Sequence, residues 1–437
     1  MMYALMSVVF ILGYAAIALE HPIKIDKSAS ALFTAVVVWV LFVIGREIIL
    51  PLSAEEGMHF IESELMHHLG EISSILFFLL GAMTIVELVD AHGGFSIITS
   101  KITTTKKSTL LISLGVVTFF MSAVLDNLTT SIVMAALLKK LVGDKKDLWL
   151  FAGIIIIAAN AGGDFSPIGD VTTIMLWIGG QITASNIILK LFLPSVVALA
   201  VPLTIAAFRL KGPVVAPKVL KGNSDDVVVP DFEKKLVLSL GIGALLFVPI
   251  FKTLTHLPPF LGVLFGLSVL WAITEFLHHK KADHVRKELS ISRTLERVDT
   301  PSVLFFLGIL LAVSALQSAG HLIQLAHLLD NTFGNIWVIN MLIGFLSSIV
   351  DNVPLVAGAM GMYDLNTYAA DHNFWELLAY CAGTGGSVLI IGSAAGVAIM
   401  GILKIDFIWY LKNISLLAAA GYLSGLGTFW LMQQFVH

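Results

Sequence analysis

The sequence predicts an all-α membrane protein built from two inverted repeats of transmembrane helices, each repeat with a re-entrant hairpin and a broken helix. Three observations carry that prediction. Of 437 residues, 57% are hydrophobic and only 13% charged, with a mean hydropathy of +0.92, more apolar side chain than one water-soluble core can hide. The apolar residues fall into segments near the roughly 20 needed to cross a hydrocarbon core about 30 Å thick. Finally, "SAVLDNLTTSIVM", with Asp126-Asn127, returns in the second half as "SSIVDNVPLVAGAM", with Asp351-Asn352.

Spanning helices are expected over residues 2–19, 29–49, 72–89, 149–178, 187–208, 236–251, 260–277, 302–319, 374–403 and 407–435. The first segment lacks a positively charged leading region and is read as a membrane helix, although Ala16-Ile17-Ala18 has the look of a weak cleavage site. Residues 53–71, with His59, His67, His68 and five glutamates, read as a solvated outer loop because no fixed metal-ligand spacing is present. Glu275 and residues 278–297 read as a helix end followed by a solvated cytoplasmic segment, and Glu87 and Asp90 as carboxylates near the headgroup region. The lone Cys381 excludes an intramolecular disulfide and a thiolate metal cluster. A net charge of −4 gives no sign of a nucleic-acid partner.

Two apolar stretches are left over, residues 109–138 and 336–362. The first has Lys101, Lys106 and Lys107 before it and Lys139, Lys140, Lys145 and Lys146 after it, so both ends belong on the cytoplasmic side. Two arms of about 14 residues at ~1.5 Å each reach roughly 20 Å, past the midplane but short of a crossing. That describes a re-entrant hairpin. The second is flanked by Asp330, Asp364 and Asp371 with no Lys or Arg nearby, which fits entry from the outer side. Threaded this way, all 26 Lys and Arg except Arg46, Lys190 and Lys252 are cytoplasmic and both termini lie outside; the expected location is a bacterial inner membrane, with both termini periplasmic.

The repeat extends beyond the hairpins. "ILFFLLGAMTIVELVDAHGGF" is echoed by "VLFFLGILLAVSALQSAGHL", and "NAGGDFSPIGD" more loosely by "GTGGSVLIIGS". Residues 1–210 form the first repeat, 211–235 a cytoplasmic linker and 236–437 the second. Each repeat reads helix, helix, helix, hairpin, broken helix, helix. An odd number of crossings gives the halves opposite orientations, the pattern of secondary transporters with a site at the midplane.

An ionised aspartate facing lipid is disfavoured by about 2.5–3.5 kcal/mol on insertion scales, so Asp126 and Asp351 are expected to face a polar cavity. At a hairpin tip the backbone stops being helical, and Asp126, Asn127, Thr129 and Thr130 can satisfy the freed groups. Simple capping is the competing explanation, weakened because the motif occurs twice, each time opposite a glycine-broken helix. In "AANAGGDFSPIGDVTTIMLW" glycines and Pro167 interrupt the helix while Asn160, Asp164, Ser166, Asp170, Thr172 and Thr173 offer oxygens. The partner "CAGTGGSVLIIGS" supplies Thr384, Ser387 and Ser393 but no carboxylate. Hard oxygen ligands and unwound carbonyls suit a small hard cation, with Asp126, Asp170 and Asp351 as the Na⁺ candidates.

The motifs "DNLTT", "DNVP" and "NAGGDFSPIGDVTT" resemble those of the NhaD-type sodium/proton antiporters of the ion transporter superfamily, over nearly the whole chain. Asp126, Asn127, Asn160, Asp170, Asp351 and Asn352 match position by position; Asp164 departs from the small residue that follows "NAGG" in the family. The resemblance implies a homodimer in lipid, with a scaffold and a mobile transport domain in each protomer. It implies exchange of Na⁺, and also Li⁺, for protons without a cofactor. A carboxylate removed from water holds its proton more tightly, so Na⁺ and H⁺ would compete for the same oxygens. Arsenite efflux is the alternative, because arsenite exporters share the hairpin tips. Dicarboxylate carriage fits a carboxylate-rich site poorly. An intramembrane aspartyl protease lacks its Gly-x-Gly-Asp pattern here, since "AGGD" and "PIGD" both miss the first glycine.

Overall fold

The computed structural model describes residues 2–50, 52–100, 104–215, 229–279 and 281–435. In the first half lie α1 (Met2–Ala18), α2 (Glu20–Ile23), α3 (Lys27–Ile49), α4 (Ala54–Ala91), α5 (Phe95–Thr99), α6 (Lys107–Leu125), α7 (Asn127–Leu141), α8 (Lys145–Asp164), α9 (Val171–Ile178) and α10 (Ala184–Arg209). The second half holds α11 (Asp231–Thr255), α12 (Pro259–His278), α13 (Asp283–Glu288), α14 (Ile291–Leu295), α15 (Thr300–Ser318), α16 (His321–Phe333), α17 (Ile336–Ser347), α18 (Asn352–Met362), α19 (Asn373–Gly385), α20 (Ala394–Leu403), α21 (Phe407–Asn413) and α22 (Ser415–Phe435). Among the described residues there is no strand, and nine helices are long and apolar enough to cross a membrane. Most of the 211–235 linker, residues 216–228, lies outside the described residues.

The two most buried elements are the first arms of the broken helices. Every residue of α8 from Phe151 to Asp164 and every residue of α19 from Phe374 to Gly385 is buried. Around them pack the helix pairs that meet at the two Asp-Asn motifs: α6 and α7 lie against α8, and α17 and α18 against α19. A second group joins α1, α3, α4 and α15, with α11 and α12 leaning on α4. Helix α10 pairs with α22.

Matching contacts recur in the two halves. The Ser122 hydroxyl donates to the Ala159 carbonyl, and the Ser347 hydroxyl to the Ala382 carbonyl. A Cβ on Gly162 would lie 2.1 Å from the Phe119 carbonyl oxygen, and one on Gly385 would lie 2.4 Å from that of Gly344. Only glycine lets backbone approach backbone this closely.

Three expectations need correction. The outer loop 53–71 is helical, the leading part of the 38-residue α4. Ser53 and Glu56 form a capping box, Glu55 and Glu56 sit at the positive helix end, and Gly57, Ile61 and His68 are buried on one face. Second, 407–435 is not one helix: the chain leaves α21 at Asn413 and restarts at Ser415, and α20 and α21 meet at 116°. Third, the amphipathic α16 stands where no element was expected. Its residues Leu322 and Ala326 face the protein while polar groups interrupt the apolar run, leaving it too short and mixed to register as a span.

Orientation is testable directly. In a Cys381→Ser background, a cysteine at Lys145 is expected to react with an impermeant reagent from the cytoplasmic side and one at Asp364 from the outer side. Both positions are exposed, whereas Cys381 is fully buried. Reaction of both from one side would contradict the inverted repeat.

Candidate cation site

The site begins with a break one residue long. Helix α6 ends at Leu125 and α7 starts at Asn127, so Asp126 alone makes the turn, with φ +74° and ψ 163°. Side chains other than glycine rarely adopt this backbone region, and holding one there costs about 1–3 kcal/mol. Asp126 offsets part of that cost by capping α7: its carboxylate accepts from the Thr129 amide at 2.8 Å and from the Thr129 hydroxyl at 3.0 Å.

Asp170 does the same for α9, accepting from the Thr172 amide at 2.9 Å and the Thr172 hydroxyl at 3.0 Å. Asp351 caps α18, and Ser393 caps α20 by accepting from the Gly396 amide. Asp126, Asp170 and Asp351 all border one small cavity, together with Asn127, Asn352 and the apolar Leu79, Met83 and Phe306. The positive N-terminal ends of α7, α9 and α18 therefore face the carboxylates they are capped by.

Asp170 links the parts. Its carboxylate receives the Asn127 amide at 2.6 Å from one tip and the Asn352 amide at 3.3 Å from the other. Asn127 also donates to Asn160 at 3.1 Å, and Asn160 donates in turn to Ser387 at 2.9 Å and Ser393 at 3.0 Å. One buried network thus joins both Asp-Asn turns to both broken helices.

The sequence-selected residues separate into three groups. Asp126, Asn127, Asp170, Asp351 and Asn352 border the cavity. Thr129, Thr172, Asn160, Ser387 and Ser393 stand behind them as hydrogen-bond partners. Asp164 and Thr384 lie apart, bonded to each other against α19, where a Cβ on Gly383 would fall 1.8 Å from the Asp164 carboxylate. Among the described residues no three carboxylate, imidazole or thiol side chains converge on one metal position. A cation here would take one or two carboxylate oxygens and complete its shell with amide, hydroxyl or backbone oxygens and water.

Sequence reasoning missed Lys27. Its ammonium lies 3.4 Å from the Asp351 carboxylate and 4.4 Å above the Phe305 ring. Lys27 had been read only as a cytoplasmic charge, and nothing in "EHPIKIDKSAS" points at a residue so distant in the chain. Its presence sets a basic group beside the carboxylates and so weakens the charge ground for rejecting an anionic substrate. Size supplies another: the cavity measures about 30 Å³, whereas pockets for organic ligands run to roughly 300–1,000 Å³.

Comparison with known proteins agrees with this picture. The "Citrate transporter" family model matches residues 14–378. "Sodium/proton antiporter 1" of Arabidopsis thaliana is 49% identical over 97% of this chain and 71% of its own length. "Sodium/proton antiporter 2" of the same plant is 45% identical over 98% of this chain and its full length. "Na(+)/H(+) antiporter NhaD" of Vibrio cholerae is 30% identical over 92% of this chain and 86% of its own. A match of that extent, in a helical membrane protein whose paired Asp-Asn turns meet at Asp170, places the chain in the citrate transporter family, among its NhaD-type sodium/proton antiporters.

Proposed function

We propose that this chain extrudes cytoplasmic Na⁺, and Li⁺, in exchange for external protons, and that the exchange is electrogenic. The observation that carries the reading is the cavity bordered by Asp126, Asp170 and Asp351, with room for about one water-sized occupant. Such a space suits a largely dehydrated monovalent cation and is far smaller than the pockets that hold organic anions. A carboxylate that binds Na⁺ must be ionised, and one that has taken a proton has lost its charge, so the two ions exclude each other at shared oxygens. Antiport then needs no separate coupling device.

The movement follows from the inverted-repeat reading, which the recurring Ser122/Ser347 and Gly162/Gly385 contacts support. The Asp-Asn turns and broken helices, bonded into one network, move as a transport domain against a scaffold that includes α3, α4, α11, α12 and α15, exposing the cavity to each side in turn. The chain works as a homodimer in the bilayer with both termini on the outer side.

Proteoliposomes energised with a pH gradient test the substrate. NaCl and LiCl are each expected to dissipate the gradient, and KCl, citrate and arsenite to leave it intact. A response to arsenite without Na⁺ would instead establish the efflux alternative.

A further inference from the structure

A second, larger cavity of about 510 Å³ lies against α4, α9, α15 and α18, four helices that also border the carboxylate cavity, with α11 and α12 completing its wall. The register is regular. On α4, Leu79 borders the small cavity and Ile75 the large one; on α9 the pair is Val171 and Met175. Helix α15 contributes Phe306 and Leu310, and α18 contributes Val353 and Ala357. Each pair is four residues apart, about one helical turn. The two cavities are therefore stacked along one bundle and separated by a single apolar layer.

We infer that the large cavity is the outer vestibule of the ion pathway, and that this layer is its closed gate. The inference rests on the antiport reading and on the orientation that places the start of α4 outside. Polar chemistry supports it. The far wall of the vestibule carries His68 and Glu71, with Gln317 opposite. His68 lies 3.5 Å from Glu71 and 3.1 Å from the Ser318 hydroxyl, which donates to Glu64 at 3.0 Å. That chain of exchangeable groups runs along the protein-facing side of α4 from the vestibule wall to the half-buried Glu64. Lys252, the cation at this wall, is occupied at the end of α9, donating to the Trp177 carbonyl at 2.7 Å. It therefore caps the half-helix whose other end carries Asp170, and does not stand free in the ion path.

A gate made of one turn opens by a small displacement of α9 and α18 against α4 and α15, the division between transport domain and scaffold proposed above. Hydrated ions can fill the vestibule but pass the layer only when it parts.

Single cysteines at Ser74 and Met360, both vestibule-lining, and at His59, exposed near the start of α4, test this in a Cys381→Ser background. An impermeant thiol reagent applied from outside is expected to modify all three, read by mass. Modification at Ser74 or Met360 should slow Na⁺-dependent proton flux by roughly tenfold, because an adduct beside the layer hinders the conformational step that parts it. Modification at His59 should leave flux unchanged. Lack of reaction at Ser74 and Met360 while His59 reacts would overturn the vestibule, as would full-rate flux after complete modification. The unmodified parent's Na⁺-dependent flux tests the antiport reading separately, since the extent of modification does not depend on transport.

Discussion

Asp126→Asn is expected to abolish Na⁺-dependent proton flux, a loss of roughly 100-fold or more, equivalent to about 3 kcal/mol, while leaving the protein folded. The cap explains the second half of that statement. The Asn carbonyl can accept from the Thr129 amide as Asp126 does, and the Thr129 hydroxyl can turn to accept from the new amide. Only the charge is lost. Asp170→Asn should abolish flux equally but also destabilise the protein, because its carboxylate receives donors from Asn127 and Asn352 and an amide nitrogen there would face another amide nitrogen. Leaving a buried donor unsatisfied costs about 1–3 kcal/mol. Flux in proteoliposomes together with thermal unfolding in detergent separates the two variants. Near-normal flux in Asp126→Asn would remove that carboxylate from the mechanism and leave it a cap.

The second large effect concerns voltage. Lys27 pairs with Asp351, which leaves Asp126 and Asp170 as the unpaired carboxylates of the cavity. Two protons bound there for each Na⁺ released carry one net positive charge inward per cycle. A potential of 100 mV, negative inside, then contributes about 2.3 kcal/mol to Na⁺ extrusion, or roughly a 50-fold steeper Na⁺ gradient at equal pH. Vesicles loaded with Na⁺ at equal pH on both sides are expected to take up protons and lose Na⁺ when a potential negative inside is imposed. No response would establish electroneutral exchange. The difference matters when the outside is alkaline: the proton gradient then points outward, and only the potential draws protons in.

Much of this site was legible because membranes make polar residues conspicuous. Asp126, Asp170 and Asp351 stand out from apolar neighbours, and the doubling of the Asp-Asn motif argues for a built site over an isolated cap. The structure adds which of them share a cavity, and sets Asp164 aside against Thr384. Other features were hidden for physical reasons. Lys27 sits at a helix start, where any cytoplasmic lysine would sit, and its partner is a residue of the other half. The helical start of α4 was masked by charge: hydropathy registers the glutamates and histidines as loop, although Ser53 followed by Glu56 is a helix-start signal in its own right. Helix α16 is amphipathic, and length alone removes it from a search for spans.

The single residue between α6 and α7 also sets how much change in length each half can absorb. Successive residues of an α-helix are about 100° apart around its axis, and nothing lies between Leu125 and Asn127 except Asp126 to take up an added or missing residue. One insertion there would turn the whole of α7 by about that angle, carrying Asn127 away from Asp170 and Asn160 and swinging the buried Thr130 and Met134 toward a different neighbour. The other tip has residues 348–351 between its helices, enough slack for a length change to dissipate before α18 begins. Two turns that read alike as sequence thus differ as mechanical parts: the first holds its helix in fixed rotational phase, and the second lets its helix find its own.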